Sequence, residues 1–119
     1  MKNLTVFDPE SPVPKIDDRL GKLDEETATK VAQYLLNSTM VLRVTVRVPD
    51  CLSSSEDPVV PVSTFTDGEY IWSGAVAYYV SEHRVAPPEE FVEHCRRQNF
   101  LPPRLTDDEI QTAARVAMA

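Results

Sequence analysis

Apolar residues recur along this chain at two periods, and each period marks a kind of element. From Glu25 to Asn37, Ala28, Val31, Ala32, Leu35 and Leu36 repeat at three- and four-residue spacing, which predicts an amphipathic helix. Asp24 offers a carboxylate to the first unpaired backbone amides, and Glu25 and Glu26 sit at the positive end of the helix dipole. Between Met40 and Val48 the period changes to two. Arg43, Thr45 and Arg47 alternate with Val44, Val46 and Val48, which predicts one half-buried strand ended by Pro49. Residues 49–58 gather serine, acid and proline and read as a loop. Val59 to Phe65 predicts a second strand, pushed toward an edge by Pro61. Thr66-Asp67-Gly68-Glu69 then carries Asp-Gly, whose tolerance of positive φ suits a tight hairpin, and Tyr70-Ile71-Trp72 is the returning strand.

The rest of the chain predicts three helices. Ser73 can cap one from Gly74 to His83, with Val76, Tyr79 and Val80 at core spacing. Pro87-Pro88 opens the next, where a missing amide costs nothing, and Phe91, Val92 and Cys95 form its apolar face. Thr106 with Glu109 makes a capping box for the last, which carries Ile110, Ala113, Ala114 and Ala117. Residues 1–23, interrupted by Pro9, Pro12 and Pro14, form an irregular or strand-like arm. The expectation is a single α+β domain over residues 1–119: a small three-stranded antiparallel sheet packed against about four helices, in the order helix, three strands, three helices. The helices are expected to cover one face of the sheet.

Composition narrows the function. A length of 119 residues with 42% hydrophobic and 26% charged residues fits one globular domain with a real core. A net charge of −7 repels phosphate backbones and argues against nucleic-acid binding. No apolar run is long enough to span a bilayer and no secretory leader is evident, so the expected location is cytoplasmic and no membrane partner is expected. Cys51 and Cys95 are expected as two reduced thiols. Gly21, Gly68 and Gly74 are too scattered for a phosphate loop, so no nucleotide and no cofactor is expected.

Catalytic patterns are sparse. Glu90, Glu93 and His94 form an E-x-x-E-H run, but Glu90 stands where an inverted zinc motif has its first histidine. The expectation there is a solvated acidic face with a histidine near its end, and no metal. His94 and Cys95 are neighbours on one helix and point about 100° apart, so they cannot pair with each other. His83 could approach Cys95 across antiparallel helices, which leaves a small enzyme using His83, His94 and Cys95 as one alternative. A non-catalytic regulatory or scaffold domain is the other. Tyr70, Trp72, Tyr78 and Tyr79 lie within ten residues. Trp72 and Tyr79 are expected in the core, whereas Tyr78 falls one position off the apolar stripe and is the better surface candidate. Acids surround it in sequence, and the candidate partner-binding set is Asp67, Glu69, Tyr78, Glu82, Glu89, Glu90 and Glu93.

The stretch TDGEYIWSGAVAYYVSEHRVAPPEEFVE, residues 66–93, resembles a segment of small uncharacterised bacterial proteins. The matching positions are Asp67, Gly68, Trp72, Tyr78, Tyr79, Val80, Val85, Pro88 and Phe91, with Ser73 where those proteins carry proline. Several such proteins look like cognate immunity proteins of polymorphic toxin systems. The resemblance covers about a quarter of the chain and its motif is structural. It implies an antitoxin that binds a protein partner, the C-terminal toxin domain of a secreted effector, as a monomer in a 1:1 complex and blocks its active-site cleft.

Overall fold

Asp24 starts the first helix as its position dictates: its carboxylate accepts from the Thr27 N–H at 3.0 Å. In the computed structural model, which describes residues 1–119, helix α1 spans Glu25–Asn37. It buries Ala28, Val31, Ala32, Tyr34 and Leu35, whereas Leu36 is 55% exposed. The buried stripe is therefore centred one position earlier than Leu36 would put it, and Tyr34 belongs to it by its three-residue step from Val31.

The alternating run after α1 is not one strand. Strand β2, Thr39–Leu42, belongs to the main sheet, and β3, Arg47–Pro49, pairs instead with β4, Pro58–Pro61, in a separate two-stranded sheet. A register shift between Met40 and Leu42 precedes the break. At Val44 the chain is held by Ser63, whose hydroxyl accepts from the Val44 N–H at 2.9 Å, in place of a ladder bond. The expected strand over residues 59–65 divides likewise, into β4 and β5, Thr64–Thr66, on either side of that serine.

The hairpin forms where Asp-Gly places it. Strand β5 pairs antiparallel with β6, Tyr70–Ser73, with Phe65 opposite Trp72, and Gly68 in the turn has φ +94°. The arm at the start of the chain contributes strand β1, Lys2–Leu4, which runs parallel to β6 with Leu4 beside Trp72. The main sheet thus has four strands in the order β1-β6-β5-β2 and is mixed, where three antiparallel strands were expected. Leu4 and Val6 are buried, so burial as well as pairing holds the arm down.

Helices α2 (Gly74–His83), α3 (Glu89–Arg97) and α4 (Asp107–Met118) follow. The Ser73 hydroxyl accepts from the Ala75 N–H to open α2, and Thr106 with Glu109 forms the expected capping box of α4. Helix α2 is apolar around most of its circumference, as befits a central helix, and packs against α1, β4 and β6. Helix α3 seats Phe91 against Tyr34, Tyr70 and Trp72, with ring centroids 5.0 to 6.0 Å apart. Helix α4 packs against β2, and its Val116 and Ala117 share a hollow with Ile71, whose side chain points away from those of Tyr70 and Trp72. The helices therefore flank both faces of the sheet, not one. No helix is long and apolar enough to cross a membrane.

Candidate functional site

Two carboxylates, each holding a histidine and a tyrosine, organise the polar chemistry of the fold. The first is Asp67 of the β5–β6 turn. Its side chain is fully buried. One oxygen accepts from the backbone N–H groups of Glu69 (3.0 Å) and Tyr70 (2.8 Å), which shapes the turn. The other accepts from the Tyr34 hydroxyl at 2.6 Å and lies 2.7 Å from His94 Nε2. His94 Nδ1 stands 3.3 Å from a Glu69 carboxylate oxygen, so each ring nitrogen faces an acid. Burial opposes the charge on Asp67, but the bonds from Tyr34, the two turn amides and His94 outweigh it and hold the carboxyl below its usual range. Burial first, and then the bond to Asp67, push the Tyr34 phenol up and keep it a donor.

The second carboxylate is Asp50, at the end of the β3 segment. Its one oxygen accepts from the Leu52 N–H at 2.8 Å, an Asx turn that opens the loop. The other accepts from the Tyr78 hydroxyl at 2.9 Å and contacts His83 Nε2 at 2.5 Å. Burial opposes its charge, and the bonds from His83, the Leu52 amide and Tyr78 outweigh it, so this carboxyl too is held below the ordinary range. The His83 ring stacks on Tyr79 at 5.8 Å, and the Tyr79 hydroxyl accepts from the Cys51 N–H at 2.9 Å. These contacts pin the 50–52 turn to helix α2. An imidazole held by a carboxylate is the arrangement a general base needs, yet no serine, threonine or cysteine side chain hydrogen-bonds to His83.

The candidate surface residues separate into two groups. Glu69, Glu82, Glu89, Glu90 and Glu93 are exposed. Asp67 is not at the surface: the turn that Asp-Gly specifies folds its carboxylate inward, where four donors consume it. Tyr78 is half-buried and its hydroxyl is spent on Asp50. Glu93 pairs with Arg96 one helical turn on, and Glu69 leans on His94. Glu82, Glu89 and Glu90 make no ion pair.

His83, His94 and Cys95 do not share a partner. His83 is tied to Asp50 and His94 to Asp67, while burial chiefly, with the Asp67 charge behind it, pushes the Cys95 thiol up to about 12. A thiol so protonated at neutral pH is a poor nucleophile. His94 also departs from the solvated position expected of it: it is 4% exposed, because α3 turns it inward with Phe91 and Cys95 while Glu90 and Glu93 face out. No group of three or more histidine, cysteine or acidic side chains gathers as a metal site. Asp50 and Tyr34 were missed from sequence. A proline-aspartate step before a leucine two residues on hints at the Asx turn of Asp50, and the step from Val31 marks Tyr34 as buried. Nothing in the sequence pairs either with its histidine.

No family model, no curated protein and no solved structure matches this chain.

Proposed function

We propose that this protein is a non-catalytic inhibitor of the immunity type, which docks as a monomer on the enzymatic domain of a secreted toxin and occludes its active-site cleft. The observation that supports this reading is the set of exposed, unpaired carboxylates at Glu82, Glu89 and Glu90. None of them caps a helix through its side chain or pairs with a base, and Glu89 and Glu90, in the first turn of α3, gain only the helix dipole. Charges left free on a rigid scaffold cost little and raise the association rate with an oppositely charged cleft. Enzymes that act on nucleic acids or nucleotides present such basic clefts, and a carboxylate array can occupy one in place of phosphate. Glu69 and Glu93 are exposed as well; Glu69 stands 3.3 Å from His94 Nδ1 and Glu93 pairs with Arg96.

The test is affinity capture from the native lysate with two baits, the wild-type chain and a Glu82→Lys/Glu89→Lys/Glu90→Lys variant, at low and at high salt. The reading expects one effector fragment on the wild-type bait, weakened by salt and lost from the variant. Capture of nothing, or of the same fragment by both baits at both salts, overturns the acidic face.

A further inference from the structure

A groove on the side of the molecule formed by β2 and the start of α2 is apolar and basic on a chain whose net charge is −7. It encloses about 490 Å³ between the last turn of α1, β2, the end of β4 and the first residue of α2. Its floor is apolar. Met40 and Phe65 are cross-strand partners there, with Leu36 and Pro61 beside them. Leu36 is 55% and Met40 47% exposed, so this is apolar surface that folding leaves open to water. The floor can lie so low because Gly74 has no side chain: a Cβ there would stand 3.2 Å from the Pro61 carbonyl oxygen.

The rim holds the only charges in the lining, and both are positive: Arg43 and Arg47. Neither has a carboxylate partner, and Arg47 Nη1 donates to the Val59 carbonyl oxygen at 3.3 Å. The groove between α1 and α2 mixes Glu25 and Glu82 with Arg84, and the hollow at the start of α1 sets Lys30 among Asp24, Glu25 and Glu26. Two exposed arginines that make no ion pair, beside an exposed apolar floor, present a surface complementary to an acid with an apolar neighbour.

We propose that this groove docks a short acidic segment of a partner protein, an apolar side chain seated on Met40 and Phe65 with flanking Asp or Glu carboxylates on Arg43 and Arg47. A guanidinium matches a carboxylate bidentately, and the methionine floor adapts to the shape of the apolar residue. A volume of this size suits one or two side chains, not a folded surface. A nucleic acid fits less well, because the net charge of −7 opposes a polyanion and the floor offers no aromatic face beyond the half-buried Phe65. The same net charge opposes a second copy of this chain as the occupant. The groove does not involve Glu82, Glu89 or Glu90, so this surface stands or falls separately from the acidic face.

The experiment is fluorescence anisotropy of the full chain with three labelled ligands: a peptide with leucine and phenylalanine flanked by aspartate and glutamate, the same peptide with lysines for its acids, and a single-stranded oligonucleotide. The acidic peptide should bind saturably, the lysine peptide should not, and the oligonucleotide should bind more weakly than the acidic peptide. Arg43→Gln/Arg47→Gln should weaken the acidic peptide by at least about tenfold. Met40→Asp, at an exposed site that leaves the fold intact by circular dichroism, should weaken it by a comparable factor. The triple Glu82, Glu89 and Glu90 variant should bind the peptide no more weakly than wild type. Equal binding of the two peptides, tighter binding of the oligonucleotide, indifference to both groove variants, or self-association blocked by Met40→Asp would each overturn the proposal.

Discussion

Replacing Asp67 by asparagine tests the idea that this residue is an organiser of the fold and not a docking group. The asparagine keeps one carbonyl oxygen, enough for the Glu69 and Tyr70 amides. Its NH₂ then faces the Tyr34 hydroxyl and His94 Nε2, which in the native protein stand 2.6 and 2.7 Å from a carboxylate oxygen. Two hydrogen bonds to a charged acceptor are lost, each worth about 1.5–3 kcal/mol. Relief from burying the charge returns part of that. The net expectation is a loss of about 2–4 kcal/mol, a substantial share of the roughly 5–15 kcal/mol that holds a domain of this size together. At roughly 4 °C per kcal/mol the melting temperature falls by about 8–16 °C. Asp67→Ala should be worse, since it also strands both turn amides. Urea titrations followed by the fluorescence of Trp72, the single tryptophan and 1% exposed, read the loss directly. A cost below about 1 kcal/mol for the asparagine variant, or an alanine variant no less stable than it, would mean that Asp67 does not organise the fold.

Three further outcomes follow from the same contacts. Asp67 and Asp50 both have carboxyls held below the ordinary range, so their stabilisation is present above the unfolded carboxyl pKa of about 3.9 and is lost as pH falls through the lower folded value. Stability measured by urea midpoint should therefore drop below about pH 4, and Asp67→Asn should make that drop shallower. Leu4→Ala, on the parallel strand β1 with its side chain 4% exposed, should cost about 2–5 kcal/mol in the same titration, whereas a frayed arm would show almost none. Thr106→Ala removes the hydroxyl that accepts from the Glu109 N–H at 3.2 Å and should cost about 1 kcal/mol by thermal melt, because only the capping box of α4 is lost.

The helices were legible because their signals are local. Asp24, Ser73 and Thr106 cap the three helices they were expected to cap, and each does so within three residues. The Asp-Gly turn was legible for the same reason. The sheet was not. The run from Met40 to Val48 reads as one strand, alternating from Arg43 on, yet Ser63, nineteen residues from Val44, captures its amide where β2 has ended. Strand β1 pairs with a segment nearly seventy residues further on, and no periodicity in three residues can announce that. The polar clusters failed for a related reason. Asp67 reads as a turn acid on any sequence, and only the tertiary approach of α1 and α3 brings Tyr34 and His94 to its second oxygen. The exposed glutamates of α3 were legible, since its apolar positions Phe91, Val92 and Cys95 leave only the opposite face for Glu89, Glu90 and Glu93.

Neutralisation of a toxin through exposed glutamates, as proposed, can be read in living cells. The most direct measurement is growth of cells that express the captured effector fragment alone, with the wild-type chain, or with the Glu82→Lys/Glu89→Lys/Glu90→Lys variant at matched levels of folded protein. Cells should arrest with the fragment alone, grow fully with the wild-type chain, and arrest again with the variant. Arrest in the presence of the wild-type chain, or equal rescue by the variant, would contradict it.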